Sequence, residues 1–259
     1  MPELPDLQVF SKNLQKKLGG KKVKAIKVVN SSKLKVPKAK LKKSLEGSTL
    51  KKIYREGKEL HFQFSNGEVL GLHLMLRGNL NFYEEKNEQK NTIIEILFDD
   101  DTGLAMYDYQ GKATATLNPQ VKPSPDALSK DVNYKFLKEQ LSKKRTTVKN
   151  LLMDQNIIRG IGNAYADEIL WKAGIAPFSI ANKIPDKKVK ALDKSIKSVL
   201  QNAEKQIRKK DPSIISGEVR DFLDIHNSKK KKSPTGATIR NEMLNSRITY
   251  YTDEQEVFE

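Results

Sequence analysis

The sequence predicts an α+β protein: a β-rich amino-terminal domain, then a helical domain, then a terminal hairpin. Three observations carry this. Short runs rich in β-branched and aromatic residues, separated by turn signals, fill residues 22–118. Apolar residues then recur at three- and four-residue spacing as far as Ile207. Two strand-like runs close the chain behind the four lysines 229–232. The 259 residues therefore divide into a β-sandwich domain with flanking helices (1–118), a linker (119–130), a helical domain (131–224) and a hairpin (225–259).

Taken in order, Leu7, Phe10, Leu14 and Leu18 have the period of an amphipathic helix that Gly19-Gly20 ends. Pro5-Asp6 starts it, which leaves Pro2 and Glu3 just ahead of the positive end of its dipole. Strands are predicted over 23–29, 58–64, 69–74, 93–98 and 104–107, with Asn66-Gly67 and Asp101-Thr102-Gly103 as hairpin turns. Several short strands at such spacing imply a sandwich or barrel. Three prolines in 118–125 mark the linker. Helices are predicted over 136–141, 148–153 and 164–173. A longer one is marked by Val189, Leu192, Ile196, Val199, Leu200, Ala203 and Ile207. The last two strands are predicted over 238–244 and 248–252. Trp171 falls on an apolar helix face and reads as core, and His73 and His226 read as structural.

Composition narrows the function. Lys and Arg number 48 against 32 Asp and Glu, a net +16. That excess attracts polyanions, nucleic acid before an anionic membrane. No apolar run approaches the roughly 20 residues that span a bilayer, and the amino terminus lacks a signal-peptide core, so an intracellular protein is expected. The absence of cysteine excludes disulfides and thiolate metal sites, and three histidines make a histidine-rich centre improbable. The lysine-rich patches at 38–43 and 229–232 read as solvated faces that add salt-sensitive phosphate affinity.

The most specific stretch is 154–168, a short helix, a loop with Gly160-x-Gly162-Asn163, and a second helix. Glycines there would let backbone approach a phosphate, with Asn163 adding a donor. At the other end of the chain, removal of Met1 would give Pro2 a free secondary amine beside the carboxylate of Glu3.

Four motifs in order, Pro2-Glu3-Leu4-Pro5, Gly57-Lys58, His73-Leu74-x-Leu76-x-Gly78 and residues 160–168, resemble the formamidopyrimidine-DNA glycosylase/endonuclease VIII family of base-excision repair enzymes. The similarity runs from residue 2 to about 256. It implies a β-sandwich domain, a helix–two-turn–helix domain and a β-hairpin finger, with damaged DNA as partner in a cleft, and a monomer is expected. By the same resemblance Pro2 is the nucleophile, Glu3 the acid/base carboxylate, Lys58 and Asn163 phosphate ligands, and Arg247 the finger arginine. The implied activity is removal of oxidised bases and cleavage of the abasic strand by β,δ-elimination through a Schiff base. A non-catalytic relative, or one specialised for abasic or single-stranded DNA, stands as the alternative.

The chain departs from the family in two places. In the family's commoner form four cysteines hold zinc; the matching positions are Lys232, Thr235, Thr252 and Gln255, so a zincless finger without cofactor is expected. Packing of Ile239, Met243, Ile248, Tyr250 and Phe258 would then replace the metal. The loop after Asp108, Tyr109-Gln110-Gly111-Lys112, lacks the Arg-x-Phe-like pair of the guanine-lesion branch. Met75, Leu76 and Arg77 are expected to fill the void left by the flipped base, Leu76 deepest. With the short stretch between Pro212 and Phe222, this tilts the expected substrate towards oxidised pyrimidines.

Overall fold

Eight strands of the amino-terminal half pair into two antiparallel four-stranded sheets in the computed structural model, which describes residues 1–259. The chain divides into two units. The first holds Met1–Pro2, Asp6–Val121 and Ile207–Glu218; the second holds Glu3–Pro5, Lys122–Gln206 and Val219–Glu259.

The first unit begins along α1 (Leu4–Leu18), whose Leu7, Phe10, Leu14 and Leu18 are buried as their spacing predicts. There follow β1 (Val23–Val28), α2 (Lys38–Leu45), β2 (Leu50–Glu56), β3 (Glu59–Phe64), β4 (Val69–His73), β5 (Asn79–Glu84), β6 (Thr92–Phe98), β7 (Thr102–Tyr107) and β8 (Thr114–Leu117). One sheet runs β1-β6-β7-β5 and the other β2-β3-β4-β8. Val23, Ile26 and Ile96 from the first sheet, and Leu60, Phe62 and Leu72 from the second, meet the apolar face of α1 in one core.

Four elements escape the sequence reading. β2 carries charges and buries only Leu50 and Ile53, β5 buries only Leu80 and Tyr83, and β8 is four residues long. The 38–43 patch lies in helix α2, where Leu41 and Leu45, one turn apart, enter the core while the lysines stay outside. Lys58 is not in a strand. It lies in the turn between β2 and β3, after Gly57 at φ +57°.

The second unit contains α3 (Tyr134–Ser142), α4 (Val148–Met153), α5 (Asn163–Ala173), most of α6 (Asp186–Lys210) and the hairpin β9 (Arg240–Leu244) and β10 (Arg247–Tyr251). Side chains of Asn133 and Thr147 cap α3 and α4, and Gly174 in the left-handed region ends α5. Asn245 and Ser246, both at positive φ, form the two-residue hairpin turn. Part of the expected linker belongs to this unit: Ala127 is buried, and its N–H donates to the Arg159 carbonyl. Trp171 is only half-buried, outside the core to which its helix contributes Ile169 and Leu170.

The hairpin is attached through charge. Asp167 on α5 is fully buried and pairs with Lys149 on α4 at 2.7 Å. Its second oxygen lies 2.7 Å from His226 Nδ1 and accepts the Tyr250 N–H of β10 at 2.9 Å. Lys149 Nζ also donates to the buried Thr249 hydroxyl at 2.7 Å. Burial pushes the Lys149 ammonium below its ordinary pKa, and Asp167 opposes this. Removing one partner of such a pair strands the other charge. Asp167→Asn is therefore expected to destabilise this unit by about 3 kcal/mol, read as a lower urea midpoint; a shift equivalent to under about 1 kcal/mol would contradict the assignment.

Candidate active site

In the first unit, the chain terminus lines a cavity of about 530 Å³ together with Leu76, Arg77, Asn79, Gln110 and Glu218. Pro2 is buried, and the Met1 ammonium pairs with the Glu218 carboxylate. Two loops build the wall. In the loop after β4, the Met75 N–H donates to His73 Nδ1 at 3.0 Å and Met75 takes a left-handed φ of +53°. Leu76 is thereby presented outward, 59% exposed, beside the exposed Arg77. Burial pushes the His73 imidazole below its ordinary pKa; Glu59 opposes this, and the nearby cations Lys58 and Lys35 reinforce it. Lys58 is half-buried, and its charge is felt at the base of this loop.

The loop after β7 is clamped by Asp108. Its buried carboxylate accepts the N–H groups of Gln110 (2.9 Å), Lys112 (2.6 Å) and Ala113 (2.9 Å). The two loops touch at Gly78, where a Cβ would stand 2.3 Å from the Leu74 carbonyl and 2.8 Å from the Ala113 methyl. Only glycine allows that approach.

In the second unit, Glu3 is 3% exposed and its carboxylate sits on the amino end of α5. It accepts N–H groups of Gly162 at 2.7 Å, Ala164 at 3.0 Å and Tyr165 at 3.4 Å. The sequence placed this anion at the end of its own helix; the helix whose free N–H groups it satisfies lies about 160 residues further on. The roles of the two glycines change accordingly. A Cβ on Gly162 would stand 2.4 Å from the Glu3 carboxyl carbon, and one on Gly160 (φ +104°) 2.5 Å from a Leu4 methyl. Both glycines are buried against the amino-terminal segment rather than open to a phosphate.

Asn163 opens α5 and donates its amide to the Ile248 carbonyl of β10 at 2.9 Å, and Arg247, the preceding residue on β10, is exposed. The finger is not held by the apolar packing expected of it, since Met243 and Ile248 are 64% and 49% exposed. A two-stranded ladder leaves one face to solvent, and they occupy that face as a cross-strand pair. Only Phe258 of the named set packs on the unit's core. The zinc-ligand positions are joined by hydrogen bonds instead. Thr235 and Thr252 both reach Glu254 Oε2, at 2.7 and 3.5 Å. Gln255 accepts the Thr252 N–H at 2.9 Å and donates to the Ile175 carbonyl at 2.7 Å. Lys232 is exposed and pairs with Thr238.

Sequence reasoning missed Asp108, Asp167, Lys149 and Glu218 as organisers of these sites. The first has a local signal, an aspartate three residues before the turn glycine Gly111. The partners of the others lie at separations no periodicity reports.

Residues 1–114 match the formamidopyrimidine-DNA glycosylase N-terminal domain and residues 124–213 the H2TH domain of the same enzymes. Formamidopyrimidine-DNA glycosylase of Brevibacillus brevis is 33% identical over 84% of this chain and 83% of its own. That of Ligilactobacillus salivarius is 32% identical over 76% and 75%. Among solved structures, Lactococcus lactis Fpg in complex with an abasic-site-containing DNA superposes with a TM-score of 0.89 at 27% identity, covering 98% of this chain and 100% of that one. With both domain models matched in order and these relatives aligned over three quarters or more of their length, the chain belongs to the formamidopyrimidine-DNA glycosylase family.

Proposed function

We propose that this DNA glycosylase of base excision repair is bifunctional, with Pro2, freed by removal of Met1, as its nucleophile. The observation that carries the reading is the chain terminus itself, set in a polar cavity beneath the Leu76 loop, with the following residue locked onto α5. An α-amine titrates near about 8, so a useful fraction carries its lone pair at neutral pH. That lone pair attacks the sugar C1′, the damaged base departs with its bonding electrons and a proton, and ring opening leaves an iminium on Pro2. The iminium acidifies the adjacent C2′ proton. Its loss expels the 3′ phosphate, and a second elimination expels the 5′ phosphate.

Glu3 is the acid/base carboxylate of these steps, held by three amides so that its carboxyl group keeps one orientation. Lys58, Asn163 and Arg247 bind phosphates. Gly160 and Gly162 serve them indirectly, by admitting Leu4 and Glu3 beside α5. Met75, Leu76 and Arg77 fill the void, supported by the exposure of Leu76 at a loop whose backbone is fixed by His73. The Asp108-clamped turn offers Gln110 rather than a second wedge to the cavity, which supports oxidised pyrimidines as substrates. In the finger, Thr235 and Thr252, at two of the family's cysteine positions, both contact Glu254, which supports a finger that works without zinc. A chain that keeps Met1 would lack this nucleophile, since the Pro2 nitrogen would then be an amide without a basic lone pair.

Borohydride should trap the Met1-free enzyme on abasic-site DNA. Pro2→Gly should lower the yield by about a hundredfold or more, and acetylation of the terminus should abolish it. Binding without trapping by the wild type would overturn the nucleophile assignment.

On duplexes carrying thymine glycol, a hydantoin or 8-oxoguanine opposite cytosine, excision should be slowest for 8-oxoguanine. Leu76→Ala should slow excision from duplex about tenfold yet spare trapping on a single-stranded abasic site. Fastest excision of 8-oxoguanine would refute the pyrimidine preference.

Metal analysis of purified protein should find no stoichiometric zinc, and prolonged chelation should leave trapping unchanged. Loss of trapping on chelation would restore a metal role.

A further inference from the structure

We infer that Glu218 is a positioning residue for the reaction: the counter-ion that holds and aims the Pro2 ammonium of the mature chain. Its consequence for catalysis rests on the reading of Pro2 as nucleophile; its geometry does not. Glu218 is the one carboxylate among the residues lining the cavity at the chain terminus, and it already grips the terminal ammonium of Met1. Excision of Met1 moves the terminal amine back by one residue, about 4 Å or less. A glutamate side chain with three rotatable bonds covers that distance without moving its backbone.

The backbone there is fixed. Ser216 Oγ accepts the Leu80 N–H at 2.8 Å and donates to Asn79 Oδ1 at 3.1 Å, which fastens the segment before Glu218 to the start of β5. Gly217, at φ +84°, makes the turn that sends the next side chain into the cavity. The segment lies more than 200 residues from the terminus yet packs in the first unit, where Asn13 of α1 also donates to the Ile214 carbonyl at 2.8 Å. A built arm therefore delivers this carboxylate to the amine.

The charges facing the amine fix the sign. Arg77 lines the same cavity and disfavours a protonated amine. Glu3, next in the chain, spends both carboxylate oxygens on α5 amides. Glu218 is the group that favours the ammonium, and a carboxylate partner raises an amine's pKa. The side chains of the Met1–Glu218 pair are 28% and 34% exposed, so the effect is that of a solvent-screened pair. The pair thus directs the N–H bonds of the terminal amine, and with them its lone pair.

The test uses the full Met1-free chain. The Pro2 amine of the DNA-free protein is titrated by NMR in the wild type, E218Q and E218D, and borohydride trapping on abasic-site DNA is followed against pH. In E218Q the amine pKa should fall by about half a unit. Trapping well below that pKa should then become about threefold faster. E218D should recover at least half of both shifts. An unchanged amine pKa in E218Q overturns the inference, whatever the trapping result. A wild type that fails to trap would instead remove the nucleophile reading, while a moved NMR pKa would still establish Glu218 as counter-ion.

Discussion

The structure depends on a carboxylate seated on a helix end. Glu3 receives three backbone N–H groups from the start of α5, groups that no residue within that helix can satisfy. Each such charge-assisted bond is worth about 1.5–3 kcal/mol when buried, and the helix dipole adds to it. The residue so fixed directly follows Pro2, so the same bonds limit the freedom of the terminal amine. Chain ends fray unless they are tied down. Here Glu3 ties the segment down, and Leu4 adds its own N–H to the Gly160 carbonyl at 3.2 Å. The glycines of the 154–168 motif follow from this seat. A side chain at either would collide with Leu4 or Glu3 before any ligand arrived.

Much of this was legible in the sequence, for identifiable reasons. α1, α4, α5 and α6 have one apolar stripe each, and a stripe is a local signal. β2, β5 and β8 have none, because each buries one or two residues and leaves charges or polar groups on the rest. Helix α2 was hidden by six lysine-rich residues, although Leu41 and Leu45 stood at helical spacing. The resemblance singled out Pro2, Glu3, Lys58 and Asn163, and in the structure Glu3 accepts the Gly162 N–H and Asn163 donates to the Ile248 carbonyl. It could not show that Asn163 already holds the hairpin, or that Glu218 faces the terminus. Such pairs are fixed by tertiary structure, and one sequence has no record of them.

The finger shows how a hairpin persists with threonine, glutamine and lysine at the family's cysteine positions. Two strands alone are marginal in water. Apolar packing does not rescue them, since Met243 and Ile248 sit on the open face. The hairpin instead connects to α5 at two backbone groups: Tyr250 N–H to Asp167, and Ile248 C=O to Asn163. These are alternate residues of one strand, so both bonds leave the same edge of β10, opposite the edge paired with β9. The helix thus acts as a third strand would, satisfying backbone polarity on an otherwise exposed edge. A metal knits the root of a finger; these bonds hold its length.

That arrangement places constraints on the exposed residues. Leu76 at 59% exposure and the Met243–Ile248 pair put apolar surface in water, where burial would gain about 25 cal/mol for each Å². None can turn inward. The Leu76 loop is fixed behind it by His73 and Gly78, and the hairpin faces are set by their register. Exposed apolar side chains on rigid backbone keep their hydration cost until a partner covers them. On the void-filling role proposed for Leu76, that partner is a stack of bases with one member missing, and the cost relieved there would offset part of the unstacking needed to flip a nucleotide. Rigidity at His73 and exposure at Leu76 are therefore one device. A flexible loop would fold Leu76 against the protein and lose the gain, and a polar residue there would have nothing to gain on entering the gap.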